Sequence, residues 1–203
     1  MKKMLILLFI STLFLCFSCE DEVEDYNLPP ATQKGANTIG CKVNGIVCIP
    51  KSDFFLPEKT KYMCYNEQTG ELNLRFYFQA DDEDYKIGYP KTSVRILADS
   101  VLFEGLQKRD LFTGYVDIEK PQNTIGEWYA FSAETTNLIV ELIITKLDKE
   151  NKIISGTFFF EGYQTGGINY DSTSLNKVIV SNGRFDFSYN PDGSCIEGYS
   201  NKK

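Results

Sequence analysis

Six cysteines and no histidine set the chemistry open to this chain of 203 residues. Without imidazole there is no Ser-His-Asp or Cys-His nucleophile and no His-ligated metal. Carboxylates, Tyr, Lys, Ser and Cys remain. Four cysteines, Cys41, Cys48, Cys64 and Cys195, lie in the body of the chain. Their spacing contains no C-x-x-C pair, so zinc is disfavoured against disulfides or buried free thiols. An Asn44-Gly45 turn would set Cys41 opposite Cys48, where strand partners have α-carbons about 5.5 Å apart. A disulfide accepts about 4.4–6.8 Å. The expected bond is therefore Cys41–Cys48, with pairings to Cys64 or Cys195 as the competitors.

Other residues with chemical potential give weaker signals. Glycoside hydrolysis needs two carboxylates. Glu127, Glu161 and Asp186 fall near strand or loop ends, but the chain has 28 acids, and no catalytic residue is assigned. Asp81-Asp82-Glu83-Asp84 lacks the spaced ligands of a calcium loop and reads as a solvated run. Asn190-Pro191-Asp192-Gly193 reads as a turn. No metal or other cofactor is expected. Trp128 and Tyr129 are adjacent, and Tyr163 and Tyr170 come later in what reads as a Gly-rich loop, Gly162 to Gly167. Aromatic faces on the loops of a β-domain suit sugar rings; the competing role for a lone Trp is core filling.

The other two cysteines end an N-terminal apolar run. Lys2 and Lys3 precede residues 4–17, which are apolar apart from Ser11 and Thr12. A bilayer-crossing helix needs about 20 apolar residues, so residues 1–18 read as a signal peptide. The run ends Leu15-Cys16-Phe17-Ser18-Cys19. A small residue directly before a cysteine is the core of a bacterial lipobox. Ser18 qualifies and Leu15, before Cys16, is too large. The usual Leu three residues before the acceptor is displaced by one place. Cys19 is thus expected to carry lipid and to hold the chain on a bilayer.

Glu20, Asp21, Glu22, Glu24 and Asp25 follow at once. Such a run can be a plain solvated tether, since like charges extend a chain. It also resembles the surface-export signal of lipoproteins in Bacteroides-type bacteria, which implies an outer-membrane protein facing the cell exterior. The leader holds two lysines and no acid, so the formal charge of -7 becomes more negative once it is removed. That balance disfavours nucleic acid as a partner.

The elements that must position these residues are strands. Aromatics make up 14% of the chain, including 15 Phe and 12 Tyr, and favour β-structure. Residues 19–37, with Pro29-Pro30 and Gly35, read as lipidated cysteine and linker, and residues 38–203 as one all-β domain with a polar tail. In residues 71–79, Leu72, Leu74, Phe76 and Phe78 share one face, and Asn73, Arg75, Tyr77 and Gln79 the other. Asn44-Gly45 predicts a hairpin joining 39–43 to 46–49. Asn182-Gly183 predicts a second, joining 177–181 to 184–189, with Val180 facing Phe185 and Val178 facing Phe187. A polar loop at 148–151 joins 137–147 to 153–160. Strands are also expected over 61–65, 93–98 and 114–118, and at most one short helix, within 100–112. The fold class is an antiparallel β-sandwich, with a barrel as the alternative.

Three blocks carry a resemblance. Gly35-Ala36-Asn37-Thr38-Ile39-Gly40-Cys41-Lys42-Val43-Asn44-Gly45, Ile153-Ile154-Ser155-Gly156-Thr157-Phe158-Phe159-Phe160 and Asn182-Gly183-Arg184-Phe185-Asp186-Phe187, in that order after a lipobox, resemble an uncharacterised lipoprotein family of Bacteroides-type bacteria, a domain of unknown function. The resemblance implies an envelope address and a β-fold, and carries over no catalytic residue. The expected function is a non-catalytic binding or structural module for a glycan or protein. The alternative is a carboxylate hydrolase acting on external polysaccharide.

Overall fold

The computed structural model describes residues 28–50, 59–78, 92–108, 112–118, 127–130, 139–166 and 176–199. They form two antiparallel sheets packed as a sandwich. The first sheet contains β3 (Lys59–Tyr65), β4 (Leu72–Phe78), β5 (Thr92–Ala98), β7 (Phe112–Ile118), β8 (Glu127–Ala130) and β12 (Ile196–Tyr199), in the order β12-β3-β4-β5-β7-β8. The second contains β1 (Thr38–Val43), β2 (Ile46–Cys48), β9 (Val140–Asp148), β10 (Ile153–Gly166) and β11 (Lys177–Ser188), in the order β9-β10-β11-β1-β2. The short β6 (Gly105–Leu106) adds to β9. β10 joins the sheets: its first half pairs with β9 and its last residues with β8. Among the described residues β12 and β2 are the end strands of the path, and no barrel closes. No helix forms among the described residues, and residues 100–108 are extended or turning.

The core follows from period-2 burial. Leu72, Leu74, Phe76 and Phe78 are all buried, and the residues between them are half-buried. Val94, Ile96, Phe112 and Val116 continue this inner face. They meet Ile39, Leu142, Phe160, Val180 and Phe187 of the second sheet in one cluster. Each such side chain contributes about 1.5–3 kcal/mol by leaving water. At one end Tyr65 and Tyr189 join the sheets edge to face, with ring centroids 4.8 Å apart. The Tyr65 hydroxyl donates to the Val101 carbonyl at 2.8 Å.

The Asn44-Gly45 hairpin forms as expected, with φ of 50° and 85° and Val43 opposite Ile46. The Asn182-Gly183 hairpin does not. β11 runs straight through these residues and pairs along both edges, with β10 and β1. Val180 therefore partners Phe160 and Val43, and Phe185 partners Gly156 and Ile39. Val178 and Val180 differ in parity from Phe185 and Phe187, so the chain must change phase between them. A hairpin does that, and so does a β-bulge. Here Asn182, at φ 51°, is the bulge, and the register steps from Phe158↔Gly183 to Phe160↔Val180. Gly183 is required because a Cβ there would collide with the Phe158 ring. The Gly-rich stretch expected as a loop also belongs to a strand, since Gly162 and Gly166 lie within β10.

Residues 28–37, read in the sequence as linker, are bound to the outer face of the second sheet. Leu28 is buried. Pro29 lies against Gly40 of β1, in space that a Cβ would occupy. Asp186 of β11, between the inward Phe185 and Phe187, points outward yet is only 1% exposed. It accepts hydrogen bonds from the amides of Lys34, Gly35 and Ala36 at 3.1, 2.8 and 3.1 Å, and from the Thr32 and Ser155 hydroxyls at 2.5 and 2.8 Å. Further along, Gln33 donates to the Thr145 carbonyl of β9 at 3.2 Å. The segment is thus a strap across β1, β11, β10 and β9. Lys61 of the opposite sheet donates to the Asn37 carbonyl at its end.

Burial alone would raise the Asp186 carboxyl, but the hydrogen bonds from Thr32, Ser155, Ala36 and Lys34 outweigh it and hold the group at about 2. An unfolded Asp titrates near about 3.9. The stabilisation is therefore complete above about pH 5 and is lost as pH falls toward 2. Asp186→Asn replaces an acceptor with an NH2 group facing donors. It should lower stability by about 2–4 kcal/mol at pH 7 in urea unfolding. The difference from the parent chain should shrink below pH 4. An unchanged midpoint at pH 7 would contradict this role.

Candidate functional site

With one outer face strapped, the outer face of the six-stranded sheet is the other broad face among the described residues; its side chains are half-buried and Ser93 is buried. Alternation places Tyr62 and Cys64 of β3, Asn73, Arg75 and Tyr77 of β4, and Ser93, Arg95 and Leu97 of β5 on that side, opposite the buried set. Tyr115 and Asp117 continue it on β7. Register sets these residues in rows: Tyr62↔Arg75↔Arg95↔Tyr115 in one, Tyr77↔Ser93↔Asp117 in the next.

The rows are held by specific contacts. Tyr62 and Tyr77 meet edge to face at 6.1 Å between centroids. The Arg75 guanidinium lies 4.7 Å from the centre of the Tyr77 ring, a cation–π contact. It also lies 3.9 Å from Asp117, which accepts a 3.0 Å hydrogen bond from Ser93. Arg95 donates to Asn73 at 3.4 Å. The Arg75 Nε is buried and has no hydrogen-bond partner. Aromatic faces and oriented polar groups therefore stand side by side on rigid strands.

One row further along, the face opens into a cleft of about 360 Å³. Asn73, Leu97 and Cys64 line it from the sheet, and Asn66, Asp99 and Asp192 from the surrounding turns. Asn66 and Asp192 are committed to those turns: Asn66 accepts from the Gln68 and Thr69 amides, and Asp192 from the Ser194 amide. A disulfide between Cys64 and Cys195, with α-carbons 4.2 Å apart, ties the cleft to the chain entering β12. It encloses a sequence separation of 131 residues.

That bond corrects the expected Cys41–Cys48 pairing. Cys41 and Cys48 are register partners, as the turn requires, but both are free thiols buried in the core. Register brings α-carbons together without bringing the sulfurs into bonding orientation. The Cys48 thiol donates to the Ile46 carbonyl at 3.3 Å instead. Burial raises both thiols, Cys41 well above its ordinary value with Cys48 adding to the effect, and Cys48 to about 12.

The residues singled out in the sequence fall in different places. Trp128 is the register partner of Asp117 and Gly166, and Tyr129 of Val116 and Gln164. Tyr163, opposite Ala130, is half-buried against the core. They belong to strands, where loops were expected. Tyr170, Cys19, the acidic residues Glu20, Asp21, Glu22, Glu24 and Asp25, and the run at 81–84 lie outside the described residues. Glu127 pairs through its backbone with Ile118. Glu161 is buried, ion-paired with Lys177 at 2.6 Å and bonded to the Ile139 amide at 3.2 Å. The Lys177 bond holds its carboxyl below the usual range against the opposing effect of burial.

Glu161 stands six residues from Ser155, the β10 partner of Asp186, so roughly 20 Å of strand separates the two carboxylates. A glycosidase pair needs about 5–10 Å, and an acid with a raised pKa. Glu161 and Asp186 meet neither condition. They are structural groups. Searched against family models, curated proteins and solved structures, the chain matches none of them. The structure is that of an antiparallel β-sandwich.

The cysteine assignment has a direct chemical readout. Peptide mapping without reduction should recover Cys64 linked to Cys195. Cys41 and Cys48 should react with an alkylating reagent only after denaturant is added, as buried, protonated thiols do. A Cys41–Cys48 peptide would overturn the assignment.

Proposed function

We propose that this protein is a lipid-anchored envelope protein, facing the cell exterior, whose sandwich binds a polysaccharide on the outer face of its six-stranded sheet. The observation that carries the reading is the Tyr62–Tyr77 pair beside Arg75, Ser93 and Asp117. Sugar rings present apolar faces to aromatics and hydroxyls to oriented donors and acceptors. Both kinds of group lie here on neighbouring strands.

The address rests on Ser18-Cys19 after the apolar leader, on the acidic residues that follow, and on the resemblance to Bacteroides-type lipoproteins. Because Leu28 is already packed, residues 20–27 alone would separate lipid from domain. Fully extended, they reach at most about 29 Å. The domain would therefore work close to the membrane, on polymer drawn to the cell surface.

Affinity electrophoresis of the chain lacking residues 1–18, through gels containing single polysaccharides, tests the binding claim. At least one polymer should retard it, and Tyr77→Ala should weaken that by about tenfold, the scale of one aromatic contact. No retardation by any polymer, or full retardation of Tyr77→Ala, would contradict the reading. For the anchor, Cys19→Ala should abolish labelling by a fatty-acid analogue in cells. Replacing the five acids with Ala should protect the domain from protease added to intact cells. Unchanged labelling or unchanged digestion would remove those two supports.

A further inference from the structure

We infer that Arg75 and Arg95 together bind an anionic group on the polysaccharide, a uronic acid carboxylate or a sulfate ester. The inference rests on the glycan reading and narrows its ligand class. Arg75 and Arg95 are direct partners on β4 and β5, and both point to the outer face. Like charges directly opposed across strands repel. Among the described residues, the carboxylate against this pair is Asp117, 3.9 Å from Arg75, and Arg95 bonds only to the neutral Asn73.

The pair is also short of acceptors. The Arg75 Nε is buried without a partner, and its guanidinium carbon lies 4.7 Å from the centre of the Tyr77 ring. A buried donor without an acceptor is costly. A carboxylate or sulfate presents a pair of acceptor oxygens that a guanidinium fork matches, and a sulfate keeps a third for a neighbour. Seated between the exposed ends of Arg75 and Arg95, it would cancel the opposed charge. The chain as a whole is acidic, with a formal charge of -7, so a general attraction for polyanions is not expected. The cleft one row away carries Asp99 and Asp192 and would repel a second anion there. The surface thus suits a polymer with a charged sugar beside uncharged groups.

The probes are two matched pairs: polygalacturonate against its fully methyl-esterified form, and dextran sulfate against dextran. The first pair reports carboxylate, the second sulfate. The wild-type chain should bind at least one anionic polymer about tenfold or more tightly than its neutral partner, the worth of one charge-assisted hydrogen bond. Arg75→Gln and Arg95→Gln should each remove most of that preference while melting as the parent does. Arg75→Lys keeps the charge without the fork and should fall between. Lys149→Gln, on the exposed β9–β10 loop, should leave binding unchanged. Equal affinity for charged and neutral partners, with Tyr77 still required, would overturn the anion assignment and leave glycan binding standing. Wild-type affinity in both Arg→Gln variants would overturn it too, as would no binding to any of the four polymers.

Discussion

Asp186 is the point on which this structure turns. Its carboxylate is buried, negatively charged and held by five donors, four of them from the strap at residues 32–36. A charge in that position is tolerable only while those donors are present. The strap in turn has few apolar residues of its own, Leu28 apart, to hold it down. Carboxylate and strap therefore need one another. Their union closes one face of the sandwich and leaves the opposite face for other work.

A second constraint concerns phase. The two sheets share β10, and the central β11 must present Val178 and Val180, then Phe185 and Phe187, to a single core. The bulge at Asn182 makes the switch, and Gly183 yields room to Phe158. That switch also sets Asp186 outward, beneath the strap. Just past Ser188, which bonds to Gly35 and Asn37 of the strap, Tyr189 continues from β11 to Tyr65 and to Glu67, which Lys152 pairs at 2.9 Å. One strand thus ties core, strap and the end of the sandwich together.

Much of this was legible in the sequence, and the gaps have physical causes. Strand positions and inner faces follow from alternation, as in Leu72 to Phe78, and the Asn44-Gly45 turn follows from local φ. Asn182-Gly183 reads as a hairpin, not a bulge, because the two change phase alike. The strap reads as linker because its composition is polar and its partner Asp186 lies 150 residues away in sequence. The disulfide escapes local reading for the same reason: Cys64 meets Cys195 only through the pairing of β3 with β12. Asn73, Arg75 and Tyr77 were recognised as one polar face. Their neighbours Tyr62, Arg95 and Asp117 could not be, because the strand order β3-β4-β5-β7 is set by tertiary pairing.

If the strap is part of the fold, its backbone must share the protection of the sheet beneath it. Amide hydrogen exchange at Lys34, Gly35 and Ala36 in the wild-type chain at neutral pH measures this residue by residue. The account predicts that all three amides exchange far more slowly than in a free peptide, and together, because one carboxylate holds them. Exchange at free-peptide rates there, while β10 and β11 stay protected, would contradict it.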